Sequence, residues 1–341
     1  TGLARDGGLY VPAVWPELSP ETISSFAGRS YADVAFEVIQ PFVDGDIPDQ
    51  ALREICRRAY APFRHDRVAP LTEVGPNRYV LELFHGPTLA FKDVAMQLLA
   101  GMMDHVLAEQ GSRITIVGAT SGDTGAAAIE AFRGRQNVDV FILFPEGRVS
   151  PFQQRQMTTI ADENVHAVAV KGTFDDCQAI LKGMFANAGF RDRVALSGVN
   201  SINWARVLGQ VVYYFTAAVA LGAPARFVSF TVPTGNFGDI FAGYVAKRMG
   251  LLIDTLVIAT NVNDILSRTL ATGRYEVRGV TATTSPSMDI QVSSNFERLL
   301  FEACDRDAAV VRRLMADLAK TGSFELPAPV LAAIRADFAA G

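Results

Sequence analysis

The sequence predicts an α/β protein of two lobes, each with a largely parallel sheet flanked by helices, preceded by a mostly helical N-terminal segment. Two observations carry this. From Arg78 onward, short apolar, β-branched runs alternate with helical stretches, the pattern of a parallel sheet covered on both faces. A chain of 341 residues, 49% apolar and 20% charged, is also too long for one small domain and suits two lobes with sizeable cores. The expected division is a helical segment over 1–70, one lobe over 71–200 and a second α/β lobe over 201–341.

Helical periodicity marks residues 31–43 and 50–61, separated by proline-rich turns. Buried strands are predicted over 79–84, 113–118, 138–144, 165–170, 227–232 and 255–260, with a further helix over 240–249. The uncharged run from Val207 to Ala225 approaches membrane-spanning length, but Gln210, Tyr213, Tyr214, Thr216 and Gly222 make it a buried helix instead. No signal peptide, repeat or low-complexity tract is visible. The chain opens on Thr1 and closes at Gly341 after an apolar helix-like segment, so both ends are expected to be trimmed. A net charge of −5 without a basic cluster leaves no footprint for nucleic acid. Cys56, Cys177 and Cys304 lie far apart with no C-x-x-C pair, which argues against zinc or disulfides and for a reducing, cytoplasmic setting. His65, His105 and His166 show no metal-ligand spacing, so no metal is expected.

The most informative stretch is Leu83-Phe84-His85-Gly86-Pro87-Thr88-Leu89-Ala90-Phe91-Lys92-Asp93. It places one lysine where an apolar run meets a broken turn and a helix begins. Phe91 flanks Lys92, and Val94, Ala95, Met96, Leu98 and Leu99 follow. The positive end of a helix dipole and partial desolvation both favour the neutral amine. A neutral amine forms a Schiff base with an aldehyde, which makes Lys92 the first candidate for catalysis.

Ligands of parallel sheets bind at the carboxyl ends of the strands, and three loops there suit anions. The first is Ala119-Thr120-Ser121-Gly122-Asp123-Thr124-Gly125, followed by a helix. Its glycines allow a tight turn, and its small hydroxyl side chains leave room for a ligand against exposed N–H groups. It is neither a dinucleotide fingerprint nor a Walker loop, and an ordinary connection capped by Ser121 or Asp123 is the alternative. The second is Pro233-Thr234-Gly235-Asn236-Phe237-Gly238-Asp239, whose amides can cup a phosphate without a charged side chain. A plain turn is the alternative there. In the third, Asn200-Ser201-Ile202-Asn203-Trp204-Ala205-Arg206, either Asn200 or Ser201 can cap the long apolar helix. Arg206, with Ser201 and Asn203, can bind a second phosphate; pairing to a structural carboxylate is the alternative.

Taken together, these residues resemble the threonine synthase family of fold-type II pyridoxal-phosphate enzymes, which are tryptophan synthase β-like. The resemblance begins at Thr1-Gly2-Leu3-Ala4-Arg5-Asp6-Gly7-Gly8-Leu9-Tyr10-Val11-Pro12. It continues through Glu82 to Thr88, Phe91-Lys92-Asp93, the Thr120 to Gly125 loop and Pro145-Glu146-Gly147-Arg148-Val149-Ser150. The Asn200 to Arg206 and Gly235 to Gly238 loops and Ser285-Pro286-Ser287-Met288-Asp289-Ile290 complete it. It implies that Lys92 holds pyridoxal 5'-phosphate covalently and that Gly235, Asn236, Phe237 and Gly238 bind the cofactor phosphate. Asp123 would face the cofactor. Thr88, Ser121, Gly122 and Thr124 would face the amino-acid end of the substrate, and Ser201, Asn203 and Arg206 its phosphate. The implied reaction turns O-phospho-L-homoserine and water into L-threonine and inorganic phosphate, the last step of threonine biosynthesis, in a monomer or homodimer. Family members continue past this chain's end, and their histidine–threonine motif, whose threonine contacts the pyridine nitrogen, has no match here.

Three further features carry less. His85, beside the glycine turn, reads as a structural hydrogen-bond partner, with relaying protons or orienting Lys92 as the alternative, and Asp93 reads as a helix-N-terminal charge. Arg148 either meets an anion or braces its loop. Met96, Met102 and Met103 read as core. The nearest rivals are a serine or threonine dehydratase and a cysteine-synthase-like enzyme, which usually carry asparagine where Asp123 stands and need no site for a leaving phosphate. A non-catalytic binder of phosphorylated ligands is the rival from another class.

Overall fold

The computed structural model describes residues 3–4 and 6–341; Thr1, Gly2 and Arg5 of the opening motif lie outside the described residues. The chain divides into two compact units, one made of Gly28–Ala217 and the other of Leu3–Ala27 with Ala218–Gly341.

The first unit is built on a parallel sheet in the order Val165–Val170, Val138–Pro145, Ile114–Ala119, Leu196–Ser197. The Ile114–Ala119 and Val138–Pro145 strands run in register from Ile114 opposite Val138 to Ala119 opposite Leu143, so their carboxyl ends finish side by side. Val138, Val140, Ile142 and Phe144 are buried with Ala126, Ile129 and Phe132 of the covering Asp123–Phe132 helix, and Met96 and Leu99 join them. The predicted strands over 113–118, 138–144 and 165–170 are thus present within about a residue at each end, but Val165–Val170 is a half-exposed edge strand, not a buried one.

Residues 79–84 depart from expectation. They contribute to Arg78–Leu81, which pairs antiparallel with Leu71–Gly75 in a separate two-stranded hairpin. Asn77 takes the left-handed conformation at φ 54 that closes the hairpin. Both strands are half exposed, since two strands alone cover neither face.

The helical part of this unit follows the predicted periodicity. Tyr31–Val43 starts where the Ser30 hydroxyl accepts a hydrogen bond from Asp33 N, and Asp49–Tyr60 follows. The long uncharged run lies in the Trp204–Ala220 helix, where Val207, Leu208, Val211, Val212, Tyr213, Tyr214 and Phe215 are all buried. Among the described residues no helix is long and apolar enough to cross a membrane.

The second unit holds a parallel sheet in the order Phe338–Ala340, Ile253–Ala259, Val228–Pro233. The Ile253–Ala259 strand starts two residues before the predicted 255, because buried Ile253 pairs with Val228. The Gly238–Arg248 helix follows Val228–Pro233. Leu3–Ala27 is laced to this unit by hydrogen bonds: Leu18 N donates to Met249 O at 2.9 Å, Trp15 Nε1 to Glu302 Oε2 at 2.9 Å, and Arg306 to Pro12 O at 3.1 Å.

Candidate active site

Lys92 opens the Lys92–Glu109 helix and is buried with 9% of its surface exposed. Burial is the main influence on its amine and pulls it below the ordinary ammonium range. Arg206 repels the charge and pushes the same way, while Asp123 opposes both through an ion pair with the Lys92 Nζ. The Phe91 ring lies 4.6 Å from the Nζ. What precedes the helix is fixed by Asp93, whose buried carboxylate accepts the Thr88 N–H and the Thr88 hydroxyl. Burial raises the Asp93 carboxyl against those hydrogen bonds. Thr88 is therefore already engaged on three sides, since its carbonyl accepts Gln156 Nε2 at 2.9 Å.

The Ser121 to Gly125 loop follows the Ile114–Ala119 strand. Neither Ser121 nor Asp123 caps the next helix; Gly122 occupies the N-cap with no side-chain bond. The loop is organised by Thr120, whose buried hydroxyl accepts from Gly122 N at 3.0 Å and Gly125 N at 2.9 Å. Gly122 stands at φ +148, and a Cβ there would fall 2.0 Å from Gln153 Oε1. Asp123 is the first residue of its helix, where the dipole favours a carboxylate, and one of its oxygens accepts Thr124 N at 2.7 Å. Its other oxygen meets Lys92. Ser121 is exposed, while Thr124 is half-buried.

Asn203, rather than Asn200 or Ser201, caps the Trp204–Ala220 helix: its Oδ1 accepts Ala205 N at 3.0 Å. Asn203 is the residue placed directly before the first helical turn, and its carbonyl also accepts Arg206 N. Ser201 lies half-buried just before it. Arg206 is 4% exposed and donates one N–H to Val199 O at 2.9 Å, while its Nε has no hydrogen-bond partner among the described residues. Burial pulls this guanidinium down to about 10, with Asp123 acting against it. The first unit thus gathers Lys92, Asp123 and Arg206 into one electrostatic cluster: a buried cation, a carboxylate and an amine.

In the second unit, the Gly235 to Gly238 loop leads into the Gly238–Arg248 helix through Phe237, which caps it at φ 65. A left-handed residue at a helix start turns successive N–H groups toward one point, the geometry of an anion nest. Its buried ring is held by Phe296 at 5.5 Å and Phe338 at 5.6 Å. A Cβ on Gly235 would lie 3.1 Å from Ser287 O and 3.4 Å from Met288 Cα, so the Ser285-Pro286-Ser287-Met288 turn settles closely on the loop and a side chain there would push it back by a few tenths of an ångström. That turn is fastened by Asp289, which accepts from Thr283 N, Thr283 Oγ1, Asn261 Nδ2 and Asn263 Nδ2 at 2.7–3.1 Å.

The model of the threonine synthase N terminus matches residues 1–60, and that of pyridoxal-phosphate dependent enzymes matches residues 64–320. The threonine synthase of Pseudomonas aeruginosa is 55% identical over 314 residues, covering 92% of this chain and 67% of that protein. The chain belongs to the threonine synthase family. Its coordinates superpose on the crystal structure of the pyridoxal-phosphate-bound threonine synthase of Brucella melitensis with a TM-score of 0.98, at 66% identity, over 100% of this chain and 73% of that one. The Escherichia coli threonine synthase gives a TM-score of 0.77 at 36% identity, over 99% of this chain and 72% of that one. The fold is therefore the fold-type II α/β architecture expected from the sequence, and the enzyme is a pyridoxal-phosphate-dependent lyase of amino-acid biosynthesis.

Set in a threonine synthase, several residues gain a place that sequence reasoning missed. Gln153 and Gln156 sit three residues apart on one face of the Pro151–Thr158 helix, over Gly122 and Thr88 respectively. The Ser150-Pro151 pair that starts this helix was the available signal. His85 Nε2 lies 2.8 Å from Glu82 Oε2, which also accepts the Thr72 hydroxyl through its other oxygen. Arg148 is exposed, and its backbone N–H closes the turn onto Pro145 O at 3.2 Å. Among the described residues no group of three His, Cys, Asp or Glu side chains is placed to hold a metal ion.

Proposed function

We propose that this threonine synthase converts O-phospho-L-homoserine and water into L-threonine and inorganic phosphate, with Lys92 as the group that carries pyridoxal phosphate and then moves protons. The observation that carries this is the buried Lys92 amine set against Asp123, with the unpartnered Nε of Arg206 in the same cluster. The residues fit the cofactor: a desolvated amine suits its aldehyde, and the Gly235 to Gly238 N–H groups at a helix start suit its phosphate. When bound, pyridoxal phosphate supplies an electron sink for the charge that develops when the substrate Cα proton leaves.

The chain's own residues do the rest. Lys92, its amine pulled below the ordinary ammonium range by burial, takes up a proton and returns it, and Asp123 steadies its protonated form. Arg206, with Ser201 and Asn203 before it, receives the substrate phosphate and stabilises it as it departs from Cγ. A buried cation whose Nε lacks a partner gains more from such an anion than an exposed one would. Ser121, Gly122, Thr124 and Thr88 border the space for the substrate's amino-acid end. A Cβ proton is lost as the phosphate leaves, and Cγ takes up a proton to become the methyl group. Water then adds its oxygen at Cβ and gives up a proton, and a proton returned at Cα completes threonine.

The test is threonine and phosphate release from O-phospho-L-homoserine by the cofactor-loaded chain beside its Lys92→Ala variant. Both products from the parent and neither from the variant is the expected result. Turnover of serine or threonine to a keto acid, with phosphohomoserine untouched, would replace this reading with that of a dehydratase.

A further inference from the structure

Arg298 is the largest fully buried side chain of the described residues, with 1% of its surface exposed, in the Phe296–Ala303 helix. Its Nε donates to Tyr10 O at 2.9 Å, and its Nη1 donates to Asn295 Oδ1. A guanidinium has donors and no acceptors, so it fixes which end of the Asn295 amide faces it. The Asn295 Nδ2 is thereby aimed at Asn236 O, to which it donates at 2.9 Å, and Asn295 N donates to the same oxygen at 3.0 Å. One loop position before Asn236, the Gly235 carbonyl accepts from Ser293 Oγ at 2.7 Å. Two successive loop carbonyls are thus drawn toward residues 293–295. Across a planar trans peptide the N–H points opposite to the C=O. Holding Gly235 O and Asn236 O on one side therefore turns the Asn236 and Phe237 N–H groups to the other.

We propose that Arg298 is a positioning residue which, through Asn295, sets the direction of the loop N–H groups that meet the phosphate of pyridoxal phosphate. The proposal rests on the reading above that this loop takes the cofactor phosphate. It gives the Gly7-Gly8-Leu9-Tyr10 segment a role at a distance, because the Tyr10 carbonyl is the far anchor of the same guanidinium. Two of the hydrogen bonds of this desolvated arginine run to a carbonyl and an amide, neutral acceptors that fix the orientation of its guanidinium.

The test uses the full chain stripped of cofactor and titrated with pyridoxal phosphate and, separately, with pyridoxal, which keeps the aldehyde and lacks the phosphate. Arg298→Met should weaken pyridoxal phosphate by about tenfold or more, the loss of one oriented hydrogen bond, and leave pyridoxal within about twofold. Asn295→Asp separates orientation from stability. Its carboxylate still accepts from Arg298, so the chain should fold, but it cannot donate to Asn236 O, and the phosphate preference should fall as it does in Arg298→Met. Equal weakening of both ligands, or a phosphate preference unchanged in either variant, would overturn the proposal. A parent chain that binds both ligands equally would instead overturn the phosphate reading of the loop, and this proposal with it.

Discussion

Thr88 gives Asp93 two hydrogen bonds, one from its N–H and one from its hydroxyl, both 2.7 Å. Asp93 adjoins Lys92, and its side chain is wholly buried, so this clasp sets where the Lys92–Glu109 helix begins. Asp93→Ala leaves two buried donors unpaired, which costs about 3 kcal/mol at roughly 1–3 per orphaned group. Asp93→Asn keeps an acceptor and should cost about 1 kcal/mol. Urea midpoints of the cofactor-free chain check both values. A loss in Asp93→Ala of only a few tenths would mean that the turn is held by other contacts.

The lowered Lys92 pKa has a definite sign in stability. Between that lowered value and the ordinary lysine value of about 10.4, the unfolded chain binds more protons than the folded one. Stability of the cofactor-free chain therefore rises with pH through that window, as the penalty for burying an ammonium is relieved. Lys92→Met removes the group, so the variant should lack this rise. Unfolding free energies measured from neutral pH to about pH 10 compare the two chains. Parallel curves would mean that the amine is not desolvated.

How much of this was legible in the sequence depends on the range of the interaction. The Val138–Pro145 strand reads directly, because a strand covered on both faces is apolar at nearly every position. Lys92 reads as well, because its neighbours in sequence are also its surroundings. The Leu71–Gly75 and Arg78–Leu81 hairpin was missed although Gly75-Pro76-Asn77 spells a turn, since the apolar run after it matched a buried strand equally well. The Asn203 cap lies two or three residues from the expected one, a difference that only the first turn of the helix decides. Arg298 could not be found locally. Its acceptor on Tyr10 is 288 residues away, and a buried arginine in a short amphipathic helix has the same sequence pattern as an exposed one.

Gly122 combines two obstacles to a side chain, and their sizes differ. Its φ of +148 is a conformation L-residues rarely adopt, at about 1–3 kcal/mol, whereas Gln153 Oε1 is the far end of a flexible chain that can move away. Moving Gln153 sacrifices its 3.1 Å contact with Ser150 Oγ, worth about 1 kcal/mol at most. Gly122→Ala should therefore destabilise the chain by about 2 kcal/mol, and adding Gln153→Ala should recover no more than about half. A double-mutant cycle in urea measures the recovery. Full recovery would assign the whole effect to the clash and none to the backbone.

Phe237 poses the opposite balance. Its left-handed φ of 65 is strained by about 1–2 kcal/mol for a residue with a Cβ, and glycine would remove that strain. The same substitution deletes a ring that is 1% exposed and packed between Phe296 and Phe338, a loss of about 3–5 kcal/mol in a core that cannot fully close. Packing wins, so Phe237→Gly should be about 2–3 kcal/mol less stable than the parent. The freed backbone should also blur the N–H geometry at the head of the Gly238–Arg248 helix, weakening pyridoxal phosphate more than pyridoxal. Urea midpoints and the two ligand titrations are read on the same variant. A more stable Phe237→Gly chain would mean that the aromatic ring fills its site poorly and that glycine's freedom is what the turn lacks.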